Sequence, residues 1–220
     1  MAEVIQKLGI LNYENAWQLQ RELLEKRANQ EIPDTLLSLE HPHVITLGKK
    51  SLLGRTGDET RLPKEIGGVP AFYVERGGEA TYHGPGQLVC YPIFFMPLSL
   101  GPKAFLRMME NAIIHVLSEF EILSYFIEGK TGVWVKDTKG RERKIASLGI
   151  AVRKNVSYHG LALNISTDLS YFSLISPCGF ASEVMTSMEE ILQKKISFSD
   201  VEEKLLKTII AFFAKEHAAL

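Results

Sequence analysis

The chain has 220 residues, of which 45% are hydrophobic, and its formal net charge is −1. This is enough apolar material for one well-filled core, so we expect a single domain over residues 1–220. The nearly neutral charge disfavours nucleic acid as the main ligand, and the sequence contains no apolar run of the roughly 18–20 residues that a membrane span needs. Without a secretory signal, and with two cysteines that match no disulfide framework, we expect a cytoplasmic protein with free thiols.

The first part of the chain predicts short strands around one amphipathic helix. We expect strands at residues 4–8, 35–39 and 44–47, and a helix at residues 13–27, where apolar residues recur at steps of three and four. Pro42 turns the chain between the second and third strands. We interpret His41 and His43, on either side of it, as surface imidazoles, because no third metal ligand stands at a useful spacing.

The middle of the chain predicts a run of strands and one long helix. Residues 49–68 are polar and charged, which is typical of a loop that covers a site. We expect strands at residues 71–75, 88–95, 132–136, 144–152 and 157–165, and a helix that begins at Pro102 and ends near residue 120. Cys90 lies among apolar residues of the second of these strands, so we interpret it as an inert core thiol.

Two capping-box patterns predict helix starts near the C-terminus. They are Ser187 with Glu190 and Ser199 with Glu202. The second helix should bury Val201, Leu205, Ile209 and Phe212. Helices that flank a run of strands joined largely by hairpins predict an α+β fold, with a mixed sheet backed by helices.

The most unusual stretch is the glycine-rich segment R-G-G-E-A-T-Y-H-G-P-G-Q at residues 76–87. Its glycines allow positive φ angles and a close approach of backbone to a ligand. Donors and acceptors interleave with them, namely Arg76, Thr81, Tyr82, His83 and Gln87. The pattern by itself leaves two interpretations open, a ligand-binding segment or a wide hairpin whose glycines serve only bends.

This segment, followed by Y-P at residues 91–92, resembles the signature of the lipoyl(octanoyl) transferases. Three later segments match the same family in order, K-I-A-S-L-G at residues 144–149, H-G-L-A-L-N at 159–164 and P-C-G at 177–179. The resemblance implies a biotin/lipoate protein ligase-like fold, of the class II aminoacyl-tRNA synthetase and biotin synthetase type. It also implies an octanoyl-[acyl-carrier-protein]:protein N-octanoyltransferase that uses no cofactor and no metal.

The same resemblance implies that Cys178 and Lys144 form a catalytic dyad. A nucleophilic cysteine must be accessible, and a nearby cation must favour its thiolate. Cys178 would take the octanoyl group from acyl carrier protein as a thioester. It would then pass the group to a lysine of the lipoyl domains of 2-oxoacid dehydrogenase complexes or of the glycine cleavage H protein. The residues alone leave Lys144 as one cation among several.

The implied substrate contacts fall on three segments. They comprise Arg76, Gly77, Gly78, Glu79, Ala80, Thr81, Tyr82 and His83, then Ser147, Leu148 and Gly149, and finally Gly160, Leu161 and Ala162. We expect the glycines to open a slot for the eight-carbon chain between apolar walls. His83 and His159 either orient the reacting groups or hold backbone in turns. Backbone N–H groups of the Cys178 loop or of the glycine-rich segment are candidates for stabilising an oxyanion.

Several cations could dock the acidic partner domains on this nearly neutral chain. They are Lys49, Lys50, Arg55, Arg141, Arg143 and Arg153.

Three alternatives to an octanoyltransferase remain. An ATP-dependent lipoate or biotin ligase shares the implied fold, but the sequence lacks the G-R-G-R-x-G and R-R-x-S-G-G-G-A-x-x-H stretches of those enzymes. A thioesterase or cysteine hydrolase would use the same thiol with water as acceptor. A non-catalytic acyl-binding module would need neither Lys144 nor Cys178.

Overall fold

A computed structural model describes residues 4–52, 63–175 and 184–219, with side chains as far as residue 214. Its elements in chain order are β1 (Val4–Ile10), α1 (Tyr13–Ala28), β2 (Thr35–Glu40), β3 (Val44–Leu47), β4 (Glu65–Ile66), β5 (Val69–Tyr73), β6 (Ala80–His83), β7 (Gln87–Ile93), α2 (Pro102–Glu119), β8 (Ser124–Ile127), β9 (Lys130–Lys136), β10 (Glu142–Arg153), β11 (Val156–Asn164), α3 (Met188–Leu192) and α4 (Phe198–Ala219). Short 3-10 helices occupy Lys49–Leu52 and Leu169–Leu174.

Within the described residues, the larger sheet has seven strands in the order β1-β2-β7-β11-β10-β9-β8. β1 and β2 are parallel, and every other neighbouring pair is antiparallel. This mixed sheet with helices packed against it confirms the predicted α+β class. Hairpins join β8 to β9, β9 to β10 and β10 to β11, and the last three of these strands lie where the sequence predicts strands.

The strand alternation sends apolar residues to both faces of the larger sheet. Leu36, Leu88 and Cys90 lie in the core with α2 and α4, whereas Leu37 and Tyr91 lie in the core with α1. Each buried apolar side chain contributes about 1.5–3 kcal/mol by leaving water. The Cys90 thiol is fully buried, and that burial raises its pKa, which confirms the interpretation as a core thiol.

A second sheet of four strands, in the order β4-β5-β3-β6, is found among the described residues. The sequence predicts two of these strands and misses β4 and β6, because β4 has two residues and glycines border β6 on both sides. It also misses β8 in the larger sheet. The predicted loop at residues 49–68 is regular in part, since its described residues include a 3-10 helix and β4.

The capping prediction is confirmed for α3 and wrong for α4. The Ser187 hydroxyl accepts a hydrogen bond from the Glu190 N–H at the start of α3. At α4 the hydroxyl of Ser197, not Ser199, accepts from the Asp200 N–H at 3.3 Å. Glu202 instead accepts from the Ser38 hydroxyl of β2 at 2.6 Å, because a partner across the fold is within its reach.

The buried face of α4 differs from the prediction at one position. Val201, Leu205 and Ile209 are fully buried as expected. Near the end of the face it is Phe213 that is buried, with Phe212 only half-buried beside it. A helical period over several turns does not fix which of two adjacent aromatic residues faces the sheet.

Candidate active site

A cleft of about 420 Å³, including space open to solvent, lies where β6, β10 and β11 meet. Its walls come from three of the segments that the sequence analysis singles out. The lining residues are Tyr13, Thr46, Arg76, Thr81, His83, Tyr91, Ser147, Leu148, Gly149, His159, Gly160, Leu161 and Ala162. Nine of the predicted substrate contacts are therefore brought together in one place, along with His159.

The three residues that follow Arg76, which are also predicted to contact substrate, lie around a neighbouring cavity. Gly77, Gly78 and Glu79 line a space of about 980 Å³, again including open solvent. This cavity shares Leu148 and Gly149 with the cleft. The two spaces are therefore adjacent, with the Ser147–Gly149 stretch of β10 between them.

Gly149 allows the glycine-rich segment to approach β10 closely. A Cβ at Gly149 would lie 3.0 Å from the Gly77 carbonyl oxygen and 3.3 Å from Arg76 Cδ. The Gly77 N–H also donates to the Ile150 carbonyl at 3.1 Å. The missing side chain of Gly149 therefore makes room for protein backbone, which positions Arg76 at the cleft.

Arg76 is held in place by Thr46 of β3. Its Nη2 donates to the Thr46 carbonyl at 2.7 Å and to the Thr46 hydroxyl at 2.9 Å, and its Nη1 donates to the Gly77 carbonyl at 2.9 Å. Arg76 as a residue is 93% buried, so these contacts fix a positive charge in the wall of the cleft.

The alternation of β6 divides its four residues between the cleft and a packed core. Thr81 and His83 line the cleft. Ala80 and Tyr82, also predicted as substrate contacts, point the other way, and Tyr82 stacks on Tyr171 with ring centroids 5.0 Å apart. The Thr81 hydroxyl is buried and has no hydrogen-bond partner within the described residues, so it can donate to a bound ligand.

His83 begins a chain of buried polar side chains. Its Nδ1 lies 2.7 Å from Gln87 Oε1, and Gln87 Nε2 donates to Asn164 Oδ1 at 2.9 Å. Because the amide of Gln87 donates through nitrogen, its oxygen accepts, and His83 carries its proton on Nδ1. Burial lowers the pKa of His83 to about 3. The imidazole is therefore neutral at pH 7 and has an unprotonated Nε2.

The same chain of polar groups reaches the backbone of Lys144. Asn164 Nδ2 donates to the Thr186 carbonyl at 2.9 Å, and the Thr186 N–H donates to the Lys144 carbonyl at 3.0 Å. Met185 pairs with Lys144 as an isolated parallel bridge. The segment that follows residue 183 is thus fixed against β10 at Lys144.

Lys144 is 98% buried in β10 and does not line the cleft. Its side chain lies over Gly132 of β9, where a Cβ would approach Lys144 Cε and come within 3.0 Å of Nζ. The Nζ is 5.6 Å from the centroid of the Trp134 ring. Cys178, its predicted partner, and the rest of P-C-G lie outside the described residues.

His159 sits at a strained point of β11. Its φ of +58° is in the left-handed region, and its N–H donates to Gln20 Oε1 of α1 at 2.7 Å. The ring lies 3.5 Å from Glu75 Oε2. Burial lowers the pKa of His159, and the Glu75 carboxylate opposes this shift.

Gly160 lines the cleft and also allows a close approach between two strands. A Cβ at this position would overlap the Cys90 carbonyl oxygen and lie 2.7 Å from Pro92 Cδ, both in the neighbouring strand β7. The absent side chain therefore permits the close approach of two strands. Only the backbone of Gly160 contributes to the cleft wall.

The prediction of surface imidazoles is right for His43 and wrong for His41. His41 is fully buried, with Nδ1 2.6 Å from the Leu11 carbonyl and Nε2 2.8 Å from the Tyr91 hydroxyl. Burial lowers its pKa to about 4. His41 directly follows β2 and points inward, while His43, beyond the proline, is exposed.

The cleft includes three residues that the sequence analysis missed, Tyr13, Thr46 and Tyr91. Tyr91 belongs to the Y-P match, and that match is the one signal that could have indicated it. Thr46 belongs to a weaker match to the same family, T-L-G at residues 46–48, whereas Tyr13 looks like an ordinary core position of α1. Their place in the cleft follows from how the two sheets and α1 are arranged.

The predicted docking cations are dispersed in the described part of the chain. Arg141 and Arg143 both pair with Asp137, at 2.8 and 3.4 Å, and Arg153 lies 3.4 Å from Glu25. Lys49 and Lys50 are exposed, on the 3-10 helix that borders the second cavity. Arg55 lies outside the described residues.

Neither a metal-binding cluster nor a membrane span is found in the part of the chain that the structure describes. No group of three or more histidine, cysteine or acidic side chains is placed to hold a metal ion across residues 4–52, 63–175 and 184–219. No helix in these ranges is long and apolar enough to cross a membrane.

Residues 12–210 match the family model of the lipoyl protein ligase A/B catalytic domain. Among curated proteins, the octanoyltransferase of Thermobifida fusca is 42% identical over 194 residues, which cover 87% of this chain and 80% of the relative. The octanoyltransferase of Bacteroides fragilis is 38% identical over 213 residues, which cover 92% of this chain and 94% of the relative.

Two solved structures show the same fold at low identity. A bipartite lipoate protein ligase from Thermoplasma acidophilum aligns with a TM-score of 0.68 at 16% identity. The alignment covers 97% of this chain and 84% of the ligase chain. The biotin protein ligase from Aquifex aeolicus aligns with a TM-score of 0.51 at 14% identity. This alignment covers 97% of this chain and 70% of the biotin ligase chain. The fold is therefore the predicted biotin/lipoate protein ligase-like fold.

Proposed function

Because this chain belongs to the octanoyltransferase family, we propose that it moves an octanoyl group from acyl carrier protein to a lysine of a lipoyl domain, through a thioester on Cys178. The acyl transfer itself follows from family membership. The thioester intermediate, the dyad and the identities of donor and acceptor are the proposed part.

The proposed first half-reaction acylates Cys178. Its thiolate attacks the carbonyl carbon of the octanoyl thioester on the phosphopantetheine arm, a new C–S bond forms, and the bond to the pantetheine sulfur breaks. The departing thiolate takes a proton from the Lys144 ammonium and leaves as a thiol. The enzyme then carries octanoyl-Cys178 and a neutral Lys144 amine.

The second half-reaction returns the enzyme to its starting state. The amine of the acceptor lysine attacks the thioester, an amide bond forms, and the bond to Cys178 breaks to release the thiolate. Lys144 takes the proton that the attacking nitrogen loses and becomes an ammonium again. Atoms and charges balance over the two steps without ATP or another co-reactant.

The cleft supports binding of the acyl chain. Its lining includes the apolar residues Leu148, Leu161 and Ala162, which suits an aliphatic chain. The fixed guanidinium of Arg76 and the available hydroxyl of Thr81 lie in the same cleft and suit a thioester carbonyl that gains negative charge.

One observation carries the proposal. Three motifs that are far apart in the sequence, at residues 76–83, 147–149 and 159–162, meet at one cleft. Lys144 is in the same strand as the second motif. Met185, seven residues after Cys178, pairs with Lys144 and so supports an encounter between the two members of the dyad.

The test is the intact mass of the protein after brief incubation with octanoyl-acyl carrier protein, without ATP and without acceptor. We expect wild type to gain an octanoyl group that hydroxylamine removes, and Cys178→Ser to gain none. Cys90→Ser is the matched control, because its buried thiol should play no part and the adduct should persist. An adduct that also forms on Cys178→Ser would contradict the assigned nucleophile.

Two further outcomes would favour the alternatives. Octanoylation of a lipoyl domain that proceeds only with ATP and survives Cys178→Ser would indicate a ligase, which shares this fold. Release of free octanoate at a higher rate than octanoylation of the lipoyl domain would indicate a hydrolase.

A further inference from the structure

Glu110 is a buried carboxylate that the proposed mechanism does not use. It lies on α2 among apolar residues and is 96% buried. Its Oε1 accepts a hydrogen bond from the Gly132 N–H at 2.8 Å, and its Oε2 lies 3.0 Å from Arg107 Nη1. A buried carboxylate is costly unless it is paired, so the fold keeps this one through a defined set of contacts.

Gly132 connects Glu110 to Lys144. The glycine N–H is bound by Glu110, and the position where a side chain would project is filled by Lys144 Cε and Nζ. The φ of Gly132 is +131°, which an L-residue rarely adopts. An anion and a cation are therefore both placed against one residue that has no side chain to separate them.

We propose that Glu110 is a positioning residue for Lys144, and that its carboxylate, fixed through Gly132, keeps the buried Lys144 amine charged and oriented. This inference rests on the proposed function in one respect, namely that Lys144 takes part in the reaction. The effect of Glu110 on the charge of Lys144 is independent of that part.

The electrostatics around the pair are consistent with this role. Burial raises the pKa of Glu110, while the Gly132 N–H, Arg107 and Lys144 oppose the shift. Glu128, in the turn between β8 and β9, adds a weak repulsion. Coupling between two sites is reciprocal, so a lysine that favours the Glu110 carboxylate is itself favoured as an ammonium by that carboxylate.

A purely structural role for Glu110 makes a different prediction. If the carboxylate only ties α2 to β9, then Glu110→Gln, whose amide oxygen can still accept from the Gly132 N–H, should leave the titration of Lys144 unchanged. The substitution removes the charge and retains the acceptor, so it separates the two roles.

The experiment is an NMR titration of the lysine Cε and Nζ signals in the full chain with isotope-labelled lysine. Lys144→Arg identifies the Lys144 signal by its loss. We expect Glu110→Gln to lower the titration midpoint of Lys144 by about 1 pH unit, as removal of a nearby opposite charge does. The control is Glu128→Gln, which removes a charge on the same side but does not touch Gly132, and it should shift the midpoint far less.

Equal midpoints in wild type and Glu110→Gln would overturn the proposal. Should Glu110→Gln not fold, Glu110→Asp takes its place, since the shorter side chain withdraws the charge from Gly132 and should lower the midpoint by a smaller amount. A Glu110→Asp protein with the wild-type midpoint would then overturn it.

The pH profile of kcat/KM separates this inference from the proposed function. If the Lys144 ammonium serves the reaction, the alkaline limb of the profile should move down in Glu110→Gln by the same amount as the NMR midpoint. If the NMR titration midpoint of Lys144 moves but the alkaline limb of the kcat/KM profile does not, Lys144 has no part in the mechanism. The positioning role of Glu110 would remain intact.

Discussion

Substitution of Gly160 by alanine tests the packing of the two central strands beside the cleft. The added Cβ would overlap the Cys90 carbonyl oxygen, which belongs to the backbone of β7 and cannot rotate away. It would also lie 2.7 Å from Pro92 Cδ. To reach an ordinary contact distance, β7 and β11 must separate by roughly 1 Å at this point.

The expected loss of stability follows from this separation. Two hydrogen bonds of the β7–β11 ladder near Leu161 and Cys90 would weaken or break, at about 1 kcal/mol each. Overpacking of a core position adds about 1–3 kcal/mol. We therefore expect Gly160→Ala to lower the free energy of unfolding by about 4 kcal/mol, and the melting temperature of a chain of this size by roughly 10 °C.

Urea unfolding followed by circular dichroism measures this loss. The matched control is Gly77→Ala, because a Cβ there meets no atom closer than 3.9 Å and the φ of Gly77 is compatible with alanine. We expect the control to unfold within about 0.5 kcal/mol of wild type. A Gly160→Ala protein as stable as the control, but defective in acyl binding, would refute the strand-packing argument and restore the interpretation that Gly160 opens the slot.

Three further predictions concern stability at acidic pH, the packing of Lys144 against Gly132, and the N-terminal cap of α4. The pKa of His83 is about 3 in the folded protein against about 6.5 when unfolded, so the free energy of unfolding should fall as pH drops from about 6.5 towards 3, by up to about 1.4 kcal/mol per pH unit. The urea midpoint of His83→Gln should depend less on pH over this range than that of wild type. The same pH dependence in both proteins would contradict the conclusion that the His83 ring is buried in its neutral form. Gly132→Ala places a Cβ against Lys144 Cε, so the single-turnover rate constant should fall about 100-fold. An unchanged rate constant would show that the position of the lysine is unimportant. Ser197→Ala should cost about 1 kcal/mol in urea unfolding and Ser199→Ala much less, whereas the reverse order would restore the cap that the sequence suggests.

Local patterns in the sequence were sufficient for most of the regular structure. The apolar spacing of α1 and α2 and the continuous apolar run of β7 predict these elements to within a few residues, because a helix or strand that packs on a core must repeat its apolar residues at its own period. The four ordered motifs were sufficient for the family, since they preserve both residue identity and order.

The candidate site was predicted as a set of segments, but not as a geometry. The motif at residues 76–83 lies partly on the cleft, partly on the adjacent cavity and partly in a core. A strand period of two indicates that Thr81 and Tyr82 face opposite sides, yet it does not say which side holds the ligand. That choice depends on β10 and β11, which lie more than sixty residues away in sequence.

The sequence by itself determined the family, the fold class and most of the residues that meet at the cleft. Only the tertiary structure decided that His41 is buried, that Gly160 makes room for a neighbouring strand, and that Glu110 and Lys144 meet at Gly132. The physical reason is that burial, close approach and charge pairing are properties of two chain segments together. A pattern within one segment specifies its own periodicity, and the partner that it packs against is set by the long-range arrangement of the sheets.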